Sequence, residues 1–253
     1  MSGKGKRGMR LRWGTERKST VLRYYFLTYF TVLLIPMLIC CIYYIRVLSI
    51  INEDDIRSRK EELEHAAVLI DTLAERVADL GDTLAANTEV HSFQRLNAAF
   101  QYPNTYRILE LQDALPELYP VDQSIFNYFI FFDRSETVIN KNSAYTYPQF
   151  YELYLHEQWY ADYEQWYEYR KQNLNAYGFG SMEVYESVKE GRSRNLLAYT
   201  QPLIDPDKAG NGGCVMIFLE EEVLETMMPT MTDGGLQLIE NGSGEILYYQ
   251  KAE

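Results

Sequence analysis

The sequence predicts an α+β protein with an N-terminal transmembrane helix, a long stalk helix and an antiparallel sheet domain. Three patterns support this prediction. Residues 24–45 form an apolar run without a charged residue. A helical repeat of apolar residues then runs from Ile56 to Leu84. From residue 124 onward, short aromatic and β-branched runs alternate with turn residues, which is typical of strands.

The uncharged run is long enough to cross a membrane. Its 22 residues would span roughly 33 Å as a helix. Eight basic residues and one glutamate precede the run, a net charge of +7, whereas the residues after it carry 16 basic and 35 acidic side chains, a net of −19. Because positive flanks stay in the cytoplasm, we expect a single-pass cell-membrane protein with a cytoplasmic N-terminus and an extracellular C-terminal domain. The run ends in Tyr43-Tyr44-Ile45-Arg46 rather than small residues, which favours a retained anchor over a cleaved signal.

The repeat after the anchor has the three-and-four spacing of a coiled-coil seam. Between Glu53 and Thr88 there is no proline, and Gly81 is the weakest helical position. Two interpretations stay open. The seam packs against its own domain, or it forms a dimer stalk, and both hold if the membrane-near half pairs between copies. The seam residues are Ile56, Leu63, Ala66, Ile70, Leu73, Val77, Leu80 and Leu84.

The rest of the chain reads as interrupted helix followed by strands. Residues 90–120 have a helical pattern broken at Pro103 and Pro116. A hairpin follows, in which Asp133 to Glu136 form the turn. The further predicted elements are strands at 180–188, 195–203 and 213–219, a turn cluster at 205–212, a short helix at 220–228 and a second hairpin at 236–248.

Composition excludes several classes of function. The strong negative charge of the outer part argues against nucleic-acid binding, and the basic tail is explained by topology and anionic lipid. Cys214 is the only cysteine after the anchor, so we expect no intrachain disulfide there and a buried apolar role for its thiol. His65, His91 and His156 lack metal-ligand spacing. With no hydrolase or phosphate-loop motif, the sequence predicts no enzyme, no metal and no cofactor.

Residues 145–169 are unusually rich in rings, with 11 aromatic residues of 25. The favoured interpretation is that these rings cover one face of the sheet. The functional alternative is a stacking surface for a sugar or another flat-faced ligand, with Asp162 and Glu164 accepting hydrogen bonds. We expect Trp159 to face the ligand and Trp166 to be buried. Trp159, Tyr163, Trp166 and Tyr167 are predicted to share one helical face. The candidate ligand-binding residues are Tyr145, Tyr147, Trp159, Tyr160, Asp162, Trp166, Tyr185 and Tyr199.

The chain resembles the extracytoplasmic Cache family, PAS-like sensor domains of bacterial receptors. The second hairpin makes it similar to double Cache sensors, in which one long helix backs two modules. The N-terminal segments, 19–30 and 34–36, look like those of membrane-bound AraC-type regulators of Gram-positive bacteria, and sensor histidine kinases with similar outer domains come next. The segments that carry the Cache resemblance are 126–140, 197–203, 213–220, 223–224 and 236–248.

This resemblance implies a domain organisation in which the chain contains one complete sensor module. It also implies a ligand between the sheet and the helical insert. Cache members that bind amino acids have an arginine directly before a Trp-Tyr pair, whereas Gln158 and Gln165 occupy that place here, which disfavours an amino-acid ligand. The implied segments are a basic cytoplasmic tail at 1–23, a transmembrane helix at 24–50, a stalk helix at 51–90, a Cache-like sensor module at 91–232 and the start of a second module at 233–253.

The resulting functional expectation is the ligand-sensing input region of a membrane-anchored AraC-type regulator, without the output domain in this chain. The alternatives are the input region of a histidine kinase and an anchored binding or scaffold domain without a small ligand; an anchored hydrolase ranks third. The expected partners are the membrane, a small extracellular ligand and a second copy of the chain bound through the stalk helix.

The charge distribution predicts the orientation of the anchor. A reporter enzyme that works only outside the cytoplasm should be active when it is fused after Glu253. Reversing the charges of Arg10, Arg12, Arg17 and Lys18 should weaken this orientation, because short basic flanks set it. A paired cytoplasmic reporter is the control. Activity of that reporter in the unmodified chain would contradict the predicted topology.

Overall fold

Six helices and eight strands are present in the computed structural model, which describes residues 16–118, 124–154, 162–173, 176–187, 192–204, 211–230, 236–242 and 244–251. The chain divides into two units, Met1–Glu61 and Glu62–Glu253. The helices are α1 Glu16–Ala85, α2 Thr88–Gln94, α3 Thr105–Ala114, α4 Tyr147–Tyr154, α5 Tyr163–Gln172 and α6 Glu221–Met227. The strands are β1 Ile125–Phe132, β2 Thr137–Ile139, β3 Ala144–Thr146, β4 Gly178–Ser187, β5 Arg192–Ile204, β6 Asn211–Glu220, β7 Leu236–Glu240 and β8 Ile246–Lys251.

The first part of α1 is the predicted long apolar helix. By length and composition it can cross a membrane: an 18-residue window has a mean hydropathy of 2.2, and none of that window is buried. Pro36 lies inside the helix, which a membrane helix tolerates better than a soluble one. The helix ends at Ala85, short of the predicted Thr88, because Asn87 caps α2 by accepting a hydrogen bond from the Glu89 amide at 2.8 Å.

The main sheet has six antiparallel strands in the order β3-β2-β1-β6-β5-β4. The predicted hairpin of β1 and β2 is confirmed, with Ile130 opposite Ile139. The predicted strands that correspond to β4, β5 and β6 and the short helix α6 are confirmed as well. Of the turn cluster predicted at 205–212, residues 205–210 lie outside the described residues, and residues 211–212 belong to β6 instead. The α+β class, with a long apolar helix followed by an antiparallel sheet, is therefore confirmed.

Both faces of this sheet are buried, which is why its central strands read as continuous apolar runs. Along β1, Tyr128, Ile130 and Phe132 belong to one core, and Phe129 and Phe131 belong to another. We call the first the helix-side core, because α1 packs there. We call the second the aromatic cluster. It consists of Phe129, Phe131, Val138, Tyr147, Phe150, Trp166, Leu196, Ala198, Cys214 and Phe218.

Helix α1 lies on the helix-side core through the C-terminal half of the predicted seam. Leu73, Val77 and Leu84 are fully buried there. At Gly81 an added β-carbon would lie 2.9 Å from Cε1 of Tyr199, so a larger residue here would require the Tyr199 ring to shift. The predicted weak point of the helix is thus a packing position. The seam's packing on its own domain is confirmed for this half.

The second predicted hairpin is confirmed as β7 and β8, with Leu238 opposite Tyr249. Leu247 and Tyr248 join the helix-side core. Leu238 and Tyr249 lie on the exposed face.

Candidate ligand-binding site

Helices α4 and α5 cover the aromatic cluster with interlocking rings. The ring centroids of Phe131 and Phe150 are 5.1 Å apart at an interplanar angle of 82°. Those of Tyr147 and Trp166 are 5.8 Å apart at 75°. Such edge-to-face pairs contribute about 0.5–1.5 kcal/mol each beyond the apolar area that they bury. For the described residues of the ring-rich segment, the interpretation that its rings cover the sheet is confirmed.

Trp166 is buried, as predicted, with 6% of its surface exposed. Its ring contacts Tyr147 from α4 as well as Phe150 and Tyr151. The side chain therefore fixes α5 to α4.

Arg170 is the unexpected member of this site, because its guanidinium lies among the rings and is only 8% exposed. One terminal nitrogen donates to Asp133 Oδ1 at 3.0 Å and to the Tyr147 hydroxyl at 3.2 Å. The other donates to Cys214 Sγ at 3.5 Å, and Cζ lies 4.0 Å from the centroid of the Phe131 ring. Burial alone lowers the pKa of Arg170, but its neighbours Tyr147, Cys214 and Asp133 raise that pKa above its ordinary value. The guanidinium thus remains charged.

Asp133 and Tyr147 complete this polar group at the end of β1. The Tyr147 hydroxyl donates to Asp133 Oδ1. Burial raises the pKa of Tyr147 well above its ordinary value, and Arg170 partly opposes this effect. The Cys214 thiol is buried as predicted, and burial raises its pKa too, against the lowering effect of Arg170. The tyrosine and the thiol therefore stay protonated near neutral pH.

A second polar contact ties α5 to the turn between β1 and β2. The Tyr167 hydroxyl donates to Glu136 Oε1 at 2.8 Å. Burial and then this hydrogen bond raise the pKa of Tyr167 to about 12. Glu136 has a backbone φ of 48°, and its carbonyl accepts a hydrogen bond from the Tyr147 amide at 3.0 Å. The turn is thus hydrogen-bonded to both α4 and α5.

Arg170 is not among the residues predicted from the sequence, although one signal there points to it. It lies four residues after Trp166, on the same face of α5. Asp133 is predicted only as part of the turn after the first strand. No local pattern brings the two together, since 37 residues separate them.

The structure brings some predicted ligand residues together and separates others. Tyr145 lies at the edge of the aromatic cluster to which Tyr147 and Trp166 belong, and its ring centroid is 6.5 Å from that of Phe150. Its hydroxyl is 3.1 Å from that of Tyr154. Tyr199, by contrast, belongs to the helix-side core, because on β5 its neighbour Ala198 faces the cluster. Trp159, Tyr160 and the Tyr185 side chain lie outside the described part of the chain.

Asp162 has a structural role in addition to the ligand contact predicted for it. Its backbone is extended, with φ −159° and ψ 173°, and its carboxylate accepts the Gln165 amide at 2.9 Å as the N-cap of α5. The predicted helical face from Trp159 to Tyr167 is therefore interrupted before Tyr163. The caps of helices end such repeats because the capping residue is itself not helical.

A half-buried ion pair lies at the other end of the cluster-side face. Arg194 on β5 pairs with Glu220 on β6, and Arg194 Cζ lies 4.8 Å from the centroid of the Phe126 ring. Arg194 is two residues before Leu196, a cluster member, so both point to this face. Charged groups beside rings suit a ligand with both polar and apolar parts. Among the described residues no group of three His, Cys, Asp or Glu side chains could hold a metal ion.

Comparison with known proteins gave matches only among solved structures. No family model and no curated protein sequence matches the chain. The sensory domain of the Campylobacter jejuni chemoreceptor Tlp3 (CcmL) with isoleucine bound is 11% identical, and the match covers 78% of this chain and 71% of that one with a TM-score of 0.45. The ligand-binding domain of the same chemoreceptor in complex with L-valine gives the same values.

The burial of Trp166 predicts a strong effect of its removal on stability. We expect Trp166→Ala to lower the free energy of unfolding by about 3–5 kcal/mol, since it leaves a cavity under α5. The matched control is Tyr169→Ala on the same helix, whose side chain is 48% exposed; we expect a change within about 0.5 kcal/mol. Denaturant melts of the full chain in detergent measure both. Equal small losses would contradict the packing role.

Proposed function

We propose that the chain is the extracytoplasmic ligand-sensing input region of a membrane-anchored bacterial signal-transduction protein. The observation that carries this proposal is that α1 belongs to both the apolar segment and the folded domain. This one helix is apolar and exposed over the window that can cross a membrane, and Leu73, Val77 and Leu84 near its end are buried in the core of an antiparallel sheet domain. An anchor and a folded domain that share a helix suit the transmission of a conformational change. The charge split across the apolar run supports the proposed orientation, with the sheet domain outside.

The chemistry of the described groups supports binding rather than catalysis. Asp133 and Arg170 neutralise each other, and the Cys214 thiol is buried with a raised pKa. Neither arrangement activates a nucleophile or positions a general base. The output module is proposed from the N-terminal resemblance: an AraC-type regulator first, a histidine kinase second. A scaffold domain without a small ligand is the candidate of another class.

We place the ligand on the cluster-side face of the sheet, where rings and charged groups meet. The half-buried pair Arg194 and Glu220 offers polar contacts, and Tyr145 and Phe126 are ring surfaces at the edge of the cluster. Of the residues predicted from sequence, Tyr145, Trp159, Tyr160 and Tyr185 stay in this proposal. Stacking on rings suits a sugar or another flat-faced ligand. The glutamines in place of the family's arginine still disfavour an amino acid.

A ligand screen tests this proposal. We expect one class among oligosaccharides, peptides, organic acids and amino acids to raise the melting temperature of the full chain in detergent. At a hundredfold excess over the dissociation constant the stabilisation is about 2.7 kcal/mol. Arg194→Gln should reduce this shift. The matched control Arg107→Gln removes a similar ion pair, with Glu110 on α3, and should leave the shift intact.

Two outcomes would count against the site or the function. If both variants keep the full shift, the ligand binds elsewhere on the domain. If no compound stabilises the unmodified chain, the scaffold candidate becomes the better one.

We also propose that the membrane-near half of the seam binds a second copy of the chain. Ile56 and Leu63 are seven residues apart and are 59% and 45% exposed. The same spacing continues to Ile70 and Val77. Val77 is buried in its own domain, so the exposed part of the repeat lies before it. A seven-residue repeat is the period of a coiled coil. An anchored protein meets its copies in the plane of the membrane, which favours this pairing.

Leu63→Asp tests this pairing without disturbing the sheet domain. It places a charge in the proposed seam and should weaken self-association of the full chain in detergent, measured by sedimentation. Ser58→Asp adds the same charge at an exposed position on the opposite face of α1 and is the control. Leu73 and Val77 are unsuitable for this test, because both are buried against their own sheet. An equal monomer fraction in all three proteins would contradict the stalk.

A further inference from the structure

Helix α5 is held to the domain by few buried side chains. Of its ten residues, Tyr163–Gln172, all of which are described, only Trp166 and Arg170 are buried. The outer face carries charged and polar side chains, among them Glu164, Glu168 and Lys171. Elements with few buried apolar contacts open locally at a lower free-energy cost than the rest of a domain. The attachment of α5 therefore depends on one buried ring and one buried cation, with the half-buried rings of Tyr163 and Tyr167 packed beside them.

The ionic contact of Arg170 with the sheet is a single carboxylate, that of Asp133, and its other contacts there are with the Cys214 thiol and the Phe131 ring. Arg170 lies 3.0 Å from Asp133 Oδ1, and Tyr147 donates to that same oxygen. Asp133 is the first residue after β1, so the contact joins α5 to a central strand of the sheet. Tyr167 and Glu136 make a second contact nearby, but both side chains lie closer to water. The Asp133–Arg170 pair is the more buried of the two contacts.

This pair is incompletely satisfied. Within the described part of the chain, Arg170 Nε and Asp133 Oδ2 are buried without a hydrogen-bond partner. Burying such atoms costs free energy that hydration would return on opening. The desolvation of a buried ion pair can cancel much of its attraction. The Asp133–Arg170 contact thus has a specific geometry but only a modest net stabilising effect. An element that changes between a closed and an open state requires both properties.

We propose that α5 is a lid that opens from the sheet as a unit, with the Asp133–Arg170 pair as its latch. Opening would uncover Phe131, Cys214 and the ring of Tyr147, an apolar floor beside the face that carries Arg194. The core around α1 shares none of these latch groups and stays closed. The lid requires no ligand to open, so it stands apart from the proposed sensing function.

Hydrogen exchange of the full chain in detergent tests the latch. Asp133→Asn leaves Arg170 as a buried charge without its partner. We expect amide exchange in α5 to become on the order of 100-fold faster, while exchange in β6 and in residues 73–85 of α1 stays unchanged. Glu168→Gln, on the exposed side of α5, is the control and should leave the exchange of α5 unchanged.

A second variant separates the latch from a general loss of fold. The triple change Asp133→Leu, Arg170→Met and Tyr147→Phe replaces the ion pair and the hydroxyl bound to it by apolar side chains, which is often neutral or stabilising. We expect exchange in α5 to be as slow as in the unmodified chain, or slower. The lid is overturned if Asp133→Asn leaves α5 unchanged, or if it speeds exchange equally in α5, β6 and α1. Because no ligand is added, a failed ligand screen does not affect this result.

Discussion

The two central strands, β1 and β6, carry apolar side chains on both faces, and the remaining structure follows from the need to cover both. Phe129 and Phe131 point one way, and Tyr128 and Ile130 point the other. If either face were uncovered, several large rings would be in contact with water. The free-energy cost of this exposure is roughly 25 cal/mol per Å² of apolar surface. Helix α1 covers one face and helices α4 and α5 the other. The proposed binding surface is therefore on the face opposite the one that residues 73–85 of α1 cover.

The covering elements differ in how firmly they are held. Helix α1 presents a stripe of buried aliphatic residues, and Gly81 brings its backbone close to the sheet at Tyr199. Helix α5 presents one buried tryptophan and one buried arginine. Its contact with the sheet is more polar and more specific in geometry. A domain with one firm face and one weakly held face has a natural place for a change in conformation when a ligand binds.

The buried arginine also explains why this face need not be permanently closed. An aliphatic side chain in the place of Arg170 would lose nothing by staying buried. A guanidinium and a carboxylate regain their hydration when they separate, so the difference in free energy between the closed and open arrangements is smaller. The rings around Arg170, with Phe131 at 4.0 Å, favour the closed arrangement through cation–π attraction.

What the sequence determined by itself is whatever depends on local pattern. The uncharged run, the strand hairpin at Asp133 to Glu136 and the burial of Trp166 follow from composition and period, because each of these signals lies within one element. The tertiary structure decided what depends on pairing between distant elements. It assigned Tyr199 to the α1 side of the sheet, through the parity of β5. It also brought Arg170 to Asp133, since only the packing of α5 on the end of β1 makes the two meet, and no spacing along the chain encodes that contact.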